Sequence, residues 1–172
     1  MDQDEEIAWL SSSRKYYQAF RILLFLGYTK QAENLLLISI EKFLKTYLSI
    51  RNNKSEEELK KEYRHNLKTL FFAAKLNLQK YTLIQKICEK ADYNRIRYKN
   101  VAVVNELNLL TDQIENEIKY LNEDVILMLN QKYKTNLVKE NWPNPKQDRK
   151  YKAYFLKMAL KGRDKIYRID FT

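Results

Sequence analysis

This 172-residue chain predicts an all-α fold, and three observations carry that expectation. It contains two glycines and two prolines, where ordinary usage gives about twelve and about nine. Tight β-turns draw heavily on those residues, so a sandwich, barrel or Rossmann fold is hard to build here. Apolar residues make up 45% of the chain, enough for a buried core. They also recur at helical spacing along most of its length. The size suits one domain with a short appendage.

The first helix spans about Glu5–Leu26, with Trp9, Ser13, Tyr16, Phe20 and Leu23 alternating by four and three. Glu5 and Glu6 suit the positive end of its dipole. Gly27 falls where a left-handed C-terminal cap is wanted. Thr29 is placed to cap a second helix running to about Ile50. Its stripe of Ala32, Leu35, Leu36, Ser39, Ile40, Phe43, Leu44, Tyr47 and Leu48 is the strongest in the chain. So short a link makes the pair an antiparallel hairpin.

Arg51–Lys54 reads as a loop. Ser55, with Glu58 three residues on, reads as a capping box that opens a third helix. That helix continues, or restarts after His65, through Leu67, Leu70, Phe71 and Ala74. A fourth covers about Leu78–Lys90. Beyond the polar, aromatic segment Ala91–Asn100 comes a long helix, about Val101–Tyr133. Its positions Val104, Leu107, Ile114, Ile118, Leu121, Val125 and Met128 fit a seven-residue repeat. At 1.5 Å per residue it would span about 50 Å, so its far end protrudes or meets another chain.

The expected organisation is therefore an up-and-down bundle of four to five helices over 1–133 and a basic, aromatic extension over 134–172. In that extension Trp142-Pro143-Asn144-Pro145 breaks the helix, Gln147–Lys161 can form one more, and Gly162 stops it. Tyr167, Ile169 and Phe171 then alternate with Arg168 and Asp170 in a strand pattern, which needs a partner edge. The acidic opening Met1-Asp2-Gln3-Asp4-Glu5-Glu6 is unlike the basic start of a signal peptide. No apolar run approaches the roughly 18–20 residues of a membrane span. A cytoplasmic protein without membrane association is expected.

Charge is unevenly spread. Residues 131–172 hold 12 Lys and Arg against 4 Asp and Glu, so +8 of the formal +10 sits in the last quarter of the chain. Such asymmetry points to an anionic partner. Lys146, Arg149, Lys150, Lys152, Lys157 and Arg163 are interleaved there with Trp142, Tyr151, Tyr154 and Phe155. Cations attract phosphates and aromatic faces stack on unpaired bases, so this composition suits single-stranded nucleic acid. The alternative is that the aromatics dock the last helix and leave the lysines solvated. A second cationic, aromatic patch is Arg95-Ile96-Arg97-Tyr98-Lys99, at the start of the long helix.

Catalysis needs a positioned base, nucleophile or metal. Histidine is the usual proton carrier near neutral pH, and the chain has one, His65 in Tyr63-Arg64-His65-Asn66-Leu67. Its bland reading is a residue that caps or bonds a neighbouring helix at the third-helix break. The single cysteine, Cys88, reads as core filler. One cysteine and one histidine exclude a disulfide framework and argue against zinc. The two glycines stand 135 positions apart, so there is no glycine-rich phosphate loop. No cofactor is expected, and the residues alone specify no enzyme.

Five segments occur in order: Glu6-Ile7-Ala8-Trp9-Leu10, Leu26-Gly27-Tyr28, Ala32 with Ile40-Glu41-Lys42-Phe43-Leu44-Lys45-Thr46-Tyr47-Leu48, His65-Asn66-Leu67-Lys68-Thr69-Leu70, and Arg97-Tyr98. Through them, residues of about 5–125 resemble a HEPN domain (higher eukaryotes and prokaryotes nucleotide-binding). The resemblance is one of order and spacing. It implies a helical bundle, often a homodimer, whose charged cleft binds a nucleotide or RNA. In that setting Lys45, His65, Arg95, Arg97 and Tyr98 would contact the ligand. Many relatives pair with a minimal nucleotidyltransferase in toxin–antitoxin modules, and a large branch are metal-independent ribonucleases. Those carry an arginine followed, after four to six residues, by a histidine. Here Glu58, Leu59 and Lys60 stand at those distances before His65, so a binding role is expected over cleavage. Two alternatives stay open: a dimerising or regulatory partner of a second protein, and a diverged ribonuclease using His65 with Arg95 or Arg97.

Overall fold

The computed structural model describes residues 2–91, 111–135 and 137. Over these residues the regular structure is α-helical throughout. The helices are α1 (Gln3–Phe25), α2 (Thr29–Asn52), α3 (Glu56–Tyr63), α4 (Leu67–Ala74), α5 (Thr82–Lys90) and α6 (Thr111–Tyr133). Expectations placed on 92–110 and 138–172, including Arg95, Arg97, Tyr98, the basic tail residues and the terminal strand pattern, lie outside the described residues.

The ends of α1 follow local chemistry. Asp2 accepts the Glu5 N–H at 2.9 Å while Glu5 accepts the Asp2 N–H at 3.2 Å, a reciprocal capping box. At the other end Gly27 adopts φ +83°. There the Tyr28 N–H donates to the Leu23 carbonyl at 2.9 Å and the Gly27 N–H to that of Leu24 at 3.1 Å, the Schellman arrangement. The chain re-enters a helix at once, with Tyr28 rather than Thr29 at the N-cap and no side chain capping it.

Cross-helix hydrogen bonds give the topology. Ser39 Oγ donates to the Ser13 carbonyl at 2.9 Å and Ser49 Oγ to Glu6 at 2.7 Å, so α2 runs antiparallel to α1. Helix α6 is also antiparallel to α1: Lys132 meets Glu6, Arg14 meets Asn122 and Arg21 meets Glu115. Helix α2 is the hub, packing against α1, α3, α4 and α6. It buries not only its apolar stripe but also Glu33, Glu41, Lys45, Thr46 and Ser49.

Two expectations need correction. The buried line of α1 is Glu6, Leu10, Ser13, Tyr17 and Phe20. Trp9 and Tyr16 sit one residue back, about 100° around the helix, and are half-buried. The carboxylate of Glu6 is tolerated in this line because Ser49 and Lys132 donate to it. The helix expected from Leu78 starts instead at Thr82. Asn77 organises a turn first, its side chain accepting the Gln79 N–H and its carbonyl those of Lys80 and Tyr81.

Helix α5 then begins without a cap of its own. The buried Glu117 carboxylate of α6 accepts the N–H groups of Leu83 (3.0 Å) and Ile84 (2.8 Å), with the Thr82 hydroxyl and the Gln113 amide completing the set. It is an N-cap supplied from another helix. Beside it, Asp124 of α6 accepts from the Tyr81 hydroxyl and from Lys80.

Candidate functional site

The break between α3 and α4 gathers charged side chains that are anchored to the core. Helix α3 opens on the Ser55/Glu58 capping box, as its sequence predicts. It stops at Tyr63, where the Asn66 N–H donates to the Tyr63 carbonyl at 2.9 Å and closes a four-residue turn. Arg64, second in that turn, has φ 48° and ψ −113°. This is the geometry of the first central residue of a type II′ turn, where glycine is normally required. Lys75 and Asn53 also have positive φ, but their ψ angles of 44° and 38° put them in the small left-handed well open to other residues. Arg64 lies outside it.

Two buried charges on α2 hold the turn. Lys45, 4% exposed, donates to the Arg64 carbonyl at 2.7 Å and to Glu41 Oε1 at 2.6 Å. Glu41, 7% exposed, meets His65 Nδ1 with both oxygens, at 3.1 and 3.2 Å. An Nδ1 facing a carboxylate carries the proton, so Nε2 is the acceptor of the neutral ring and a second donor of the charged one. The His65 side chain is 70% exposed, whereas that of Glu41 beneath it is 9% exposed. Core carboxylate, core ammonium and strained carbonyl together aim one imidazole outward.

The surface around the turn is charged, with Glu57 and Glu58 exposed on the first half of α3 and cations nearer its end. Arg64, Lys61 and Lys68 are exposed on the same two helices and their link. The nearby carboxylates of Glu62 and Glu56 pair with Lys54 and Lys60. The Lys54 ammonium holds the Glu62 carboxyl below its ordinary pKa, so Glu62 stays ionised as a partner of Lys54. Asn66 caps α4, accepting the Thr69 N–H at 3.0 Å.

The structure thus brings together Lys45 and His65, two of the five residues expected at the ligand. It gives them different parts: His65 is presented, while Lys45 is buried and committed to Glu41 and the turn. The other three, Arg95, Arg97 and Tyr98, lie outside the described residues, as do Lys146, Arg149, Lys150, Lys152, Lys157 and Arg163. Glu41 and Arg64 were not singled out by sequence reasoning. The signal available for Glu41 was its i, i+4 spacing to Lys45 on a helix with apolar residues on every side. Cys88 is core filler as expected, buried, with its thiol pKa pushed up by loss of solvent. Among the described residues no group of His, Cys, Asp and Glu could hold a metal ion, and no helix is long and apolar enough to cross a membrane. No family model, curated protein or solved structure matches the chain.

Proposed function

We propose that this chain is a HEPN-like bundle of four to five helices that binds single-stranded RNA or a nucleotide through phosphate contacts, without cleaving it. The observation that carries the reading is the turn Tyr63–Asn66. A non-glycine residue held in a strained conformation costs about 1–3 kcal/mol and persists only where its surroundings enforce it; such strain clusters at working sites. Here the enforcing groups are Glu41 and Lys45, and the product is an Arg64–His65 pair facing solvent. The guanidinium is a bidentate phosphate donor, and the exposed imidazole ring stands beside it. The basic tail supplies further counter-charge in this reading. The missing arginine-to-histidine spacing favours binding over hydrolysis.

Fluorescence anisotropy of a labelled single-stranded RNA oligonucleotide tests the proposal. Three phosphate contacts correspond to a roughly twentyfold loss of affinity for a fourfold rise in salt. Truncation after Lys134 should flatten that slope, and Arg64→Ala or His65→Ala should weaken what binding remains. Absence of binding, or affinity indifferent to salt, refutes the reading.

A second reading, a surface for a partner protein or a second copy, draws on α6. Tyr120 and Leu127 lie seven residues apart on it and are 42% and 57% exposed. Light scattering that gives a monomer at tens of micromolar counts against it.

A further inference from the structure

We infer that Trp9, Tyr16 and Lys42 form a stacking platform for an unpaired base, a binding site that rests on the RNA reading above and extends it to α1. Trp9 and Tyr16 are seven residues apart, two turns of α1, which places their rings about 10 Å apart along one face. The Lys42 ammonium of α2 sits over both, 5.2 Å from the Trp9 ring centroid and 5.7 Å from that of Tyr16. All three side chains are half-buried, and the core line of α1 is complete without the two rings.

The position of Lys42 departs from that of an ordinary surface lysine. Its helical neighbours at i±3 and i±4 are Ile38, Ser39, Lys45 and Thr46, none acidic. The nearest carboxylate in sequence, Glu41, is taken by Lys45 and His65. Among the described residues its ammonium is placed against π faces and forms no salt bridge. Aromatic faces with an adjacent cation are the composition that single-strand binding uses, because every base has a π face and every linkage a phosphate. A base that stacks on the indole displaces the ammonium, and the flexible lysine stem can then carry it to the adjoining phosphate. Lys42 follows Glu41 along α2 and projects about 100° around the helix, toward α1 rather than toward the turn that carries His65.

The chain has two tryptophans, Trp9 and Trp142, so the Trp142→Phe variant leaves Trp9 as the only indole. Anisotropy of a labelled single-stranded RNA oligonucleotide is measured on the wild type, on Trp142→Phe and on Lys42→Gln. Trp9 emission is followed in the same Trp142→Phe titration. The expected result is saturable quenching of Trp9 at the midpoint of the anisotropy curve. Lys42→Gln should weaken binding several-fold and reduce the log–log salt slope by about 0.7, the loss of one phosphate contact. RNA binding with Trp9 emission unmoved and Lys42→Gln neutral overturns the platform and leaves the parent reading standing. No binding by the wild type overturns both. If Trp142→Phe itself abolishes binding, the Lys42→Gln affinity and slope decide.

Discussion

Arg64 offers the sharpest test of how the candidate site is held, because two substitutions there differ in backbone freedom alone. Both Arg64→Ala and Arg64→Gly remove the guanidinium, and both keep the carbonyl that accepts from Lys45 at 2.7 Å. With φ 48° and ψ −113°, alanine retains the strain and glycine relieves it. The strain is worth about 1–3 kcal/mol. Against it stands the extra freedom glycine gives the unfolded chain, about 0.4–1 kcal/mol. Glycine should therefore be the more stable variant by about 1 kcal/mol, a several-fold change in the folding equilibrium. In a chain of this size that is a rise of about 3 °C in Tm. Urea denaturation with thermal melts by circular dichroism would measure it. If Arg64→Gly proves no more stable than Arg64→Ala, the turn is unstrained and the binding proposal loses the observation on which it stands.

Three further outcomes follow from the buried polar groups. Lys45→Met leaves Glu41 a buried carboxylate without its ammonium and should cost about 3–5 kcal/mol; the double variant Glu41→Gln/Lys45→Met should lose less than the two single losses combined, as a urea double-mutant cycle would show. Glu117→Ala strips α5 of its cap and should destabilise by about 3 kcal/mol, with Glu117→Gln losing less because one oxygen still accepts; equal losses would mean the cap is idle. Burial raises the pKa of the Tyr81 phenol, helped by its bond to Asp124, and that of the Cys88 thiol. The folded chain keeps these protons where the unfolded chain releases them, so stability should be intact below about pH 9 and fall as pH rises beyond it, by up to about 1.4 kcal/mol per pH unit for each group. Denaturation midpoints between about pH 8 and pH 10.5 test the sign, and Cys88 should resist alkylation until the chain unfolds.

The sequence made the helices readable wherever their signals were local. Gly27 marked a Schellman end, Ser55 and Glu58 a capping box, and the stripe of α2 its length. What escaped were features completed by distant residues. Glu6 reads as a dipole partner at the start of a helix; Ser49 and Lys132, 43 and 126 residues further on, make it a core residue. The lines Trp9–Ser13–Tyr16–Phe20 and Leu10–Ser13–Tyr17–Phe20 both keep helical spacing, and packing against α2 and α6 selects the second. The start of α5 was misplaced because its cap lies on α6. At the site, no spacing rule joins Lys45 to His65, 20 residues further on; the Glu41 carboxylate between them does. The strained turn was illegible, since an arginine carries no sign of such a φ and the contacts that hold it come from Glu41 and Lys45 on another helix.

The borrowed cap of α5 also bears on how the molecule assembles. A nine-residue helix is too short to persist alone, and the carboxylate that secures its first amides arrives 34 residues later in the chain. Its formation is thus tied to the docking of α6. The amides of Leu83 and Ile84 should exchange with deuterium only when α6 lifts away, which makes them natural reporters of whether the bundle opens as one unit or in parts.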